Sequence, residues 1–316
     1  MPRQRLISRV VIALSAVLIA SACEASNPSA NDRLDTAMVD VGSPSRTLAY
    51  GPDDEQVLDV YTPAGWSPSD RRPVIVHVHG GGWHGGSRRD AAYLAQAQVR
   101  RGWVFVSVDY RLTPGVRFPE PIRDVDRAVR FVRSQASSLG IDPNRLVMSG
   151  HSAGGHLAAA VALGDMRPLL VDPTLPADLR AQSSRPNAVV TIGAILDVVA
   201  FSDDPWWASG WIVNLLYGCE GSDPFVLTCS STQMRQGSVL DWLDPRDPSM
   251  YVIHGGDDDV VLVEQAWLAR ARADAVGFDR ISLDIVDSGP ARYRRHDPDF
   301  GANLRELESF LDRVTA

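Results

Sequence analysis

Six residues, Gly150-His151-Ser152-Ala153-Gly154-Gly155, constrain this chain more tightly than any other stretch. Upstream, Arg145-Leu146-Val147-Met148-Ser149 reads as a short buried strand. Downstream, His156-Leu157-Ala158-Ala159-Ala160-Val161-Ala162-Leu163 is rich in helix formers. The order is strand, sharp turn, helix. Small residues around Ser152 let the backbone fold back tightly. Such a turn lifts a serine side chain above a sheet and sets it at a helix N-terminus. There, backbone N–H groups face any negative charge that develops.

The flanking sequence supplies the sheet. Gln56–Tyr61 alternates apolar and polar residues, as a half-buried strand does. Pro73–His79 is a β-branched run typical of a strand covered on both faces, and Trp103–Tyr110 is similar. Ala188–Ile195, Met250–His254 and Ile281–Val286 read as further strands. Helical patterns occupy Ala91–Arg101, Ile122–Val132, Val263–Val276 and Ala302–Val314. Alternating strands and helices predict an α/β fold with a mainly parallel, doubly wound sheet. A chain of 316 residues, 45% of them hydrophobic, has ample material for one large core. Its net charge of −8 argues against a nucleic-acid partner.

One stretch breaks the alternation. Residues 201–247 hold Trp206, Trp207, Trp211, Tyr217, Phe225 and Trp242 in what reads as a long irregular connection. A connection of this length is expected to be functional. It is either a small cap over the catalytic face or an elaborated surface loop with its own core.

The N-terminus reads as a targeting segment. Arg3, Arg5 and Arg9 precede the apolar stretch Val10–Ala20, which is too short to span a bilayer comfortably. Ala20-Ser21-Ala22-Cys23 is similar to a bacterial lipoprotein cleavage site, with Cys23 as the lipidated residue. The expected organisation is a signal peptide over 1–22, a flexible tether over 23–45 and a domain over 46–316. That predicts a cell-envelope lipoprotein touching the membrane only through its N-terminal lipid, or otherwise a secreted protein. Two cysteines remain, Cys219 and Cys229, and in an oxidising compartment such a pair is expected to form a disulfide.

A serine nucleophile needs a base, and the base needs an orienting acid. Of the seven histidines, only His296 sits in a loop late in the chain, between the last strand and the last helix. The order serine, acid, histidine places the acid between Ser152 and His296, just after a strand. Asp257, Asp258 and Asp259 all follow the strand ending at His254. His79-Gly80-Gly81-Gly82-Trp83 ends an earlier strand, where ligands bind in open α/β sheets. Its glycines permit a backbone that aims N–H groups at an oxyanion.

Taken in order, these motifs resemble the α/β-hydrolase esterases with an H-G-G-G oxyanion motif. These form the hormone-sensitive-lipase-like superfamily, and the nearer likeness is to its bacterial feruloyl/xylan-esterase-like carboxylesterase branch. Leu58-Asp59-Val60-Tyr61, Asp109-Tyr110-Arg111-Leu112 and His254-Gly255 with Asp258 and Val261 complete the likeness, which covers about residues 46–316. The resemblance implies the α/β-hydrolase fold and a triad of Ser152, Asp258 and His296. It also implies Gly81, Gly82 and Ala153 as oxyanion donors. Many relatives carry Gly-His-Gly-Phe around the base, where this chain has Arg295-His296-Asp297-Pro298. The expected activity is hydrolysis of small, short-chain acyl esters through an acyl-enzyme. The same triad would also serve an amide hydrolase of the formamidase or peptidase type, and a non-catalytic envelope protein would keep the fold alone. Neither a metal nor an organic cofactor is expected, for the chain has no ligand cluster and no dinucleotide fingerprint.

Overall fold

The computed structural model describes residues 43–204, 206, 208–219, 221, 223, 226–286, 296 and 304–316. The stretch expected to be a signal peptide, Cys23 and most of the expected tether lie outside these residues, as do Trp207 and Phe225. Eight strands form one sheet: β1 (Arg46–Ala49), β2 (Val57–Tyr61), β3 (Arg72–Val78), β4 (Val104–Val108), β5 (Ile141–His151), β6 (Ala188–Ile192), β7 (Ser249–Gly255) and β8 (Ile281–Val286). Their spatial order is β1-β2-β4-β3-β5-β6-β7-β8. The pairs β1–β2 and β2–β4 are antiparallel, and every pair from β4 to β8 is parallel. This is the α/β-hydrolase arrangement, with β5 in the interior of the sheet.

Alternate residues of each central strand enter opposite cores, as the period of two requires. Val74, Val76 and Val78 of β3, Val104 and Val106 of β4, and Leu146 and Met148 of β5 face one core. Ile75, Phe105 and Val147 face the other. Helices Glu120–Ser134, Ala153–Ala162 and Glu264–Val276 cover the first face with residues such as Val125, Leu157 and Ala269. Helices Ala92–Arg100 and Leu304–Val314 cover the second through Ala95, Phe310 and Leu311. Burial on both faces is why these strands read as continuous apolar runs.

Several elements differ from expectation. Strand β1 has no apolar pattern, because its residues are mostly exposed and it pairs only at the sheet edge with β2. Strand β6 stops at Ile192, three residues early, because Gly193 turns the chain with φ of 50°. The stretch 201–247 is not irregular. Helices Val198–Ser202, Ser209–Tyr217 and Ser231–Arg235 and a short 3-10 turn at Val239–Trp242 run through it. Their lengths of 4 to 9 residues are too short for an amphipathic period to stand out. A disulfide joins Cys219 to Cys229 within this insertion.

Candidate active site

Strand β5 delivers Ser152 to the C-terminal end of the parallel strands. The helix begins at once, at Ala153 rather than at His156. Ser152 itself holds φ 53° and ψ −125°, outside the helical and extended regions that L-residues favour. Its own N–H donates to the carbonyl of Ile192, 2.8 Å away, which ties the elbow to the end of β6. The N–H of Ala153 belongs to the first turn of the helix, where backbone donors have no intrahelical acceptor.

The glycine loop lies alongside. Gly81 adopts φ of +110°, and a Cβ there would come within 2.3 Å of the Gly85 carbonyl oxygen. Only glycine fits that turn, which the N–H groups of His84 and Gly85 close by donating to the Gly81 carbonyl at 3.1 and 3.0 Å. The loop is braced from below. His79 stacks on Tyr110 with ring centroids 4.5 Å apart, and the Tyr110 hydroxyl donates to the His79 carbonyl at 3.3 Å. The Nδ1–H of His79 donates to the Gly80 carbonyl at 2.7 Å, and burial lowers the pKa of this ring. Trp83 is fully buried and meets the ring of His156 edge-on, joining the loop to the elbow helix.

Asp258 follows β7. Asp258 is buried, whereas Asp257 and Asp259 on either side are exposed. Its Oδ1 accepts the N–H groups of Val260 and Val261, each at 3.0 Å. Its Oδ2 accepts the Nδ1–H of His296 at 2.7 Å. That leaves the buried Nε2 of His296 with no hydrogen-bond partner. His254, fully buried, donates Nε2–H to the Val261 carbonyl at 2.8 Å and stands 3.5 Å from Asp258 Oδ2. Burial depresses its pKa, so it stands there as a neutral donor.

The glycine loop, Ser152 and His296 share one pocket of about 310 Å³. Gly81, Gly82, Ser152 and His296 line it, and Ile195, Phe201, Trp206 and Ile212 supply its apolar walls. Three of those walls come from the insertion or its first helix, so the stretch 201–247 borders the site. A roomier pocket of about 510 Å³ lies around Arg130, Leu170 and Arg180. It meets the elbow helix at Val161 and Ala162, about 15 Å along the axis from Ser152. It holds none of the residues argued for chemistry. Among the described residues, no group of three or more His, Cys, Asp or Glu is placed to hold a metal ion.

The BD-FAE family model matches residues 58–272, which carry the glycine loop, the elbow and Asp258. The chain belongs to the BD-FAE family. It is similar to esterase LipC of Mycobacterium tuberculosis, 30% identical over 275 residues, covering 85% of this chain and 65% of that one. It is also similar to carboxylesterase NlhH of the same organism, 37% identical over 154 residues, covering 45% of this chain and 47% of that one. The chain therefore spans about two thirds or less of these curated relatives. Among solved structures, the esterase 2 of the planctomycete Thermogutta terrifontis superposes with a TM-score of 0.67 and 26% identity, covering 85% of this chain and 92% of the other. That esterase has also been solved with propionate bound, with butyrate bound and phosphonylated by sarin.

Three neighbours of the site in this BD-FAE chain escaped sequence reasoning. Gly193 makes room for His296, whose ring would lie 3.3 Å from a Cβ at that position. Phe201 walls the pocket, and His151 touches His296. Nothing in the local sequence of Gly193 and Phe201 separates them from turn or core residues, and the elbow motif marks the position of His151 without showing its distant contact.

Proposed function

We propose that this protein is an exported serine carboxylesterase that hydrolyses short-chain acyl esters through an acyl-enzyme. The observation that carries the reading is the pair formed by Asp258 and His296, 2.7 Å apart at Nδ1, with Nε2 left without a partner in the pocket that Ser152 lines. In this reading Ser152 Oγ attacks the ester carbonyl and passes its proton to His296 Nε2. Asp258 holds the imidazole in the Nδ1–H tautomer and stabilises the imidazolium. The N–H groups of Gly81, Gly82 and Ala153 receive the oxyanion, and loss of one such donor typically costs about 10²–10³ in kcat. His296 then protonates the departing alcohol, and water, activated by the same ring, releases the acid from Ser152.

The walls favour small acyl groups. A pocket of about 310 Å³ sits at the small end of ligand sites. Its apolar side chains suit a short alkyl group, and the propionate and butyrate held by the Thermogutta esterase are acids of that size. The disulfide in the insertion accords with export, and we assign the anchor to Cys23.

The test is turnover of p-nitrophenyl esters from acetyl to palmitoyl, alongside simple amides, with fluorophosphonate labelling of wild type and Ser152→Ala. Esters of two to four acyl carbons should turn over fastest, and only wild type should be labelled. Undiminished turnover by Ser152→Ala sinks the mechanism, and faster cleavage of palmitoyl than butyryl ester sinks the size argument. For the anchor, Cys23→Ala should move the protein from the membrane to the soluble fraction; no change refutes it.

A further inference from the structure

The residue just before the nucleophile has no part in the chemistry proposed above, yet it touches the base. The Nε2 of His151 lies 3.1 Å from the main-chain oxygen of His296, and the two rings stand 4.7 Å apart at 49°. A carbonyl oxygen only accepts, so Nε2 of His151 carries the proton and donates. On its other side the imidazole packs against the glycine loop. A Cβ on Gly80 would fall 2.8 Å from His151 Nδ1 and 3.1 Å from its carbonyl oxygen.

His296 needs such support. It lies ten residues after the end of β8 and eight before the helix that starts at Leu304, so among the described residues it belongs to no strand or helix. Asp258 fixes only its side chain. We propose that His151 is a positioning residue that fixes the main chain of residue 296, tying base and nucleophile together through adjacent residues of the elbow. This rests on the proposed triad of Ser152 and His296, and on the esterase reading for the choice of substrate. Reacting atoms have to stay within a few tenths of an ångström of the productive geometry, and a displacement near 1 Å can cost about 10² in rate. A second anchor, supplied from the residue adjoining Ser152, holds that distance.

The donor requirement makes the proposal separable from simple packing. Glutamine places an N–H near the position of histidine Nε2. The amide of asparagine is one carbon shorter and falls short, and leucine fills space without donating. The full-length protein is compared as wild type, His151→Gln, His151→Asn and His151→Leu. Three quantities are read: kcat and KM on a short-chain ester, melting temperature, and the rate at which a fluorophosphonate labels Ser152. His151→Leu and His151→Asn should each lose about 100-fold in kcat and in labelling rate, with KM within about twofold of wild type. His151→Gln should recover to within about fivefold of wild type. The proposal is overturned if leucine keeps wild-type kcat, or if glutamine and asparagine fall alike. Should the leucine variant not fold, the glutamine and asparagine pair decides. Wild type that labels at Ser152 yet cleaves no ester refutes the substrate reading alone, and the labelling rates still judge His151.

Discussion

Replacing Asp258 by asparagine removes one negative charge and leaves the shape of the side chain. Its Oδ1 accepts two backbone N–H groups, from Val260 and Val261, each at 3.0 Å. An amide nitrogen cannot accept, so the oxygen of the new residue has to stay on those donors. The NH2 group then faces His296 Nδ1, where a carboxylate oxygen now accepts at 2.7 Å. Two donors cannot share that contact. The imidazole shifts its proton to Nε2 and accepts through Nδ1, which leaves Nε2 unable to take the proton of Ser152. In a serine protease the same exchange lowers kcat by about 10⁴. At about 1.36 kcal/mol per decade, that is about 5.4 kcal/mol of transition-state stabilisation. Folding should suffer little, since the number of hydrogen bonds is kept. Asp258→Ala would instead orphan the two N–H groups at about 1–3 kcal/mol each. The assay is kcat on p-nitrophenyl butyrate together with the melting temperature, for Asp258→Asn, Asp257→Asn and Asp259→Asn. The last two alter exposed side chains and should stay near wild type. Turnover by Asp258→Asn within tenfold of wild type refutes the tautomer argument, and an inactive Asp257→Asn or Asp259→Asn refutes the register of the loop.

Other consequences follow from buried groups and from the insertion. Burial pushes His77 down to about 3 and His156 to about 4. The unfolded chain binds these protons near pH 6.5 and the folded one does not, so stability should fall as pH drops from about 6.5 towards 4. Asp204 opposes this, because burial holds its carboxyl up at about 6 and the folded state binds that proton first. Asp204→Asn should therefore steepen the loss of melting temperature between pH 6 and 4; an unchanged slope refutes the assignment. Reducing the Cys219–Cys229 bridge opens a loop of ten-residue separation and should cost about 2.8 kcal/mol in chain entropy, read from urea midpoints with and without reductant. Trp206→Ala removes a pocket wall and should raise the ratio of octanoyl to butyryl turnover about tenfold, if two further methylenes gain burial. An unchanged ratio places the acyl chain elsewhere.

Legibility in the sequence tracked how local each signal was. The inner strands β3, β4, β6 and β7 announce themselves because burial on both faces leaves near-continuous apolar runs, as in Val74–Val76. Strand β1 is silent because an exposed edge strand needs no apolar pattern. Gly81 and Gly82 are legible since a turn with positive φ needs glycine, and Ser152 because its neighbours have to be small. The acid was narrowed to three adjacent aspartates by position, and the family pattern pointed to Asp258. The structure adds the physical difference, which is burial of Asp258 against exposure of its neighbours. The contacts of His151, Gly193 and Phe201 are not legible because each reaches more than forty positions away or across the pocket, and no periodicity encodes that.

The backbone of Ser152, at φ 53° and ψ −125°, is one that glycine adopts without strain and serine does not. Conformations of this sort cost on the order of 1–3 kcal/mol. The residue that carries the proposed chemistry thus occupies the position where a plain glycine would make a sturdier protein. A search for heat-resistant variants scored only by survival of the fold would drift towards Ser152→Gly and discard the reaction. Durability and turnover pull this one position in opposite directions, and any serine kept there is kept for what it does.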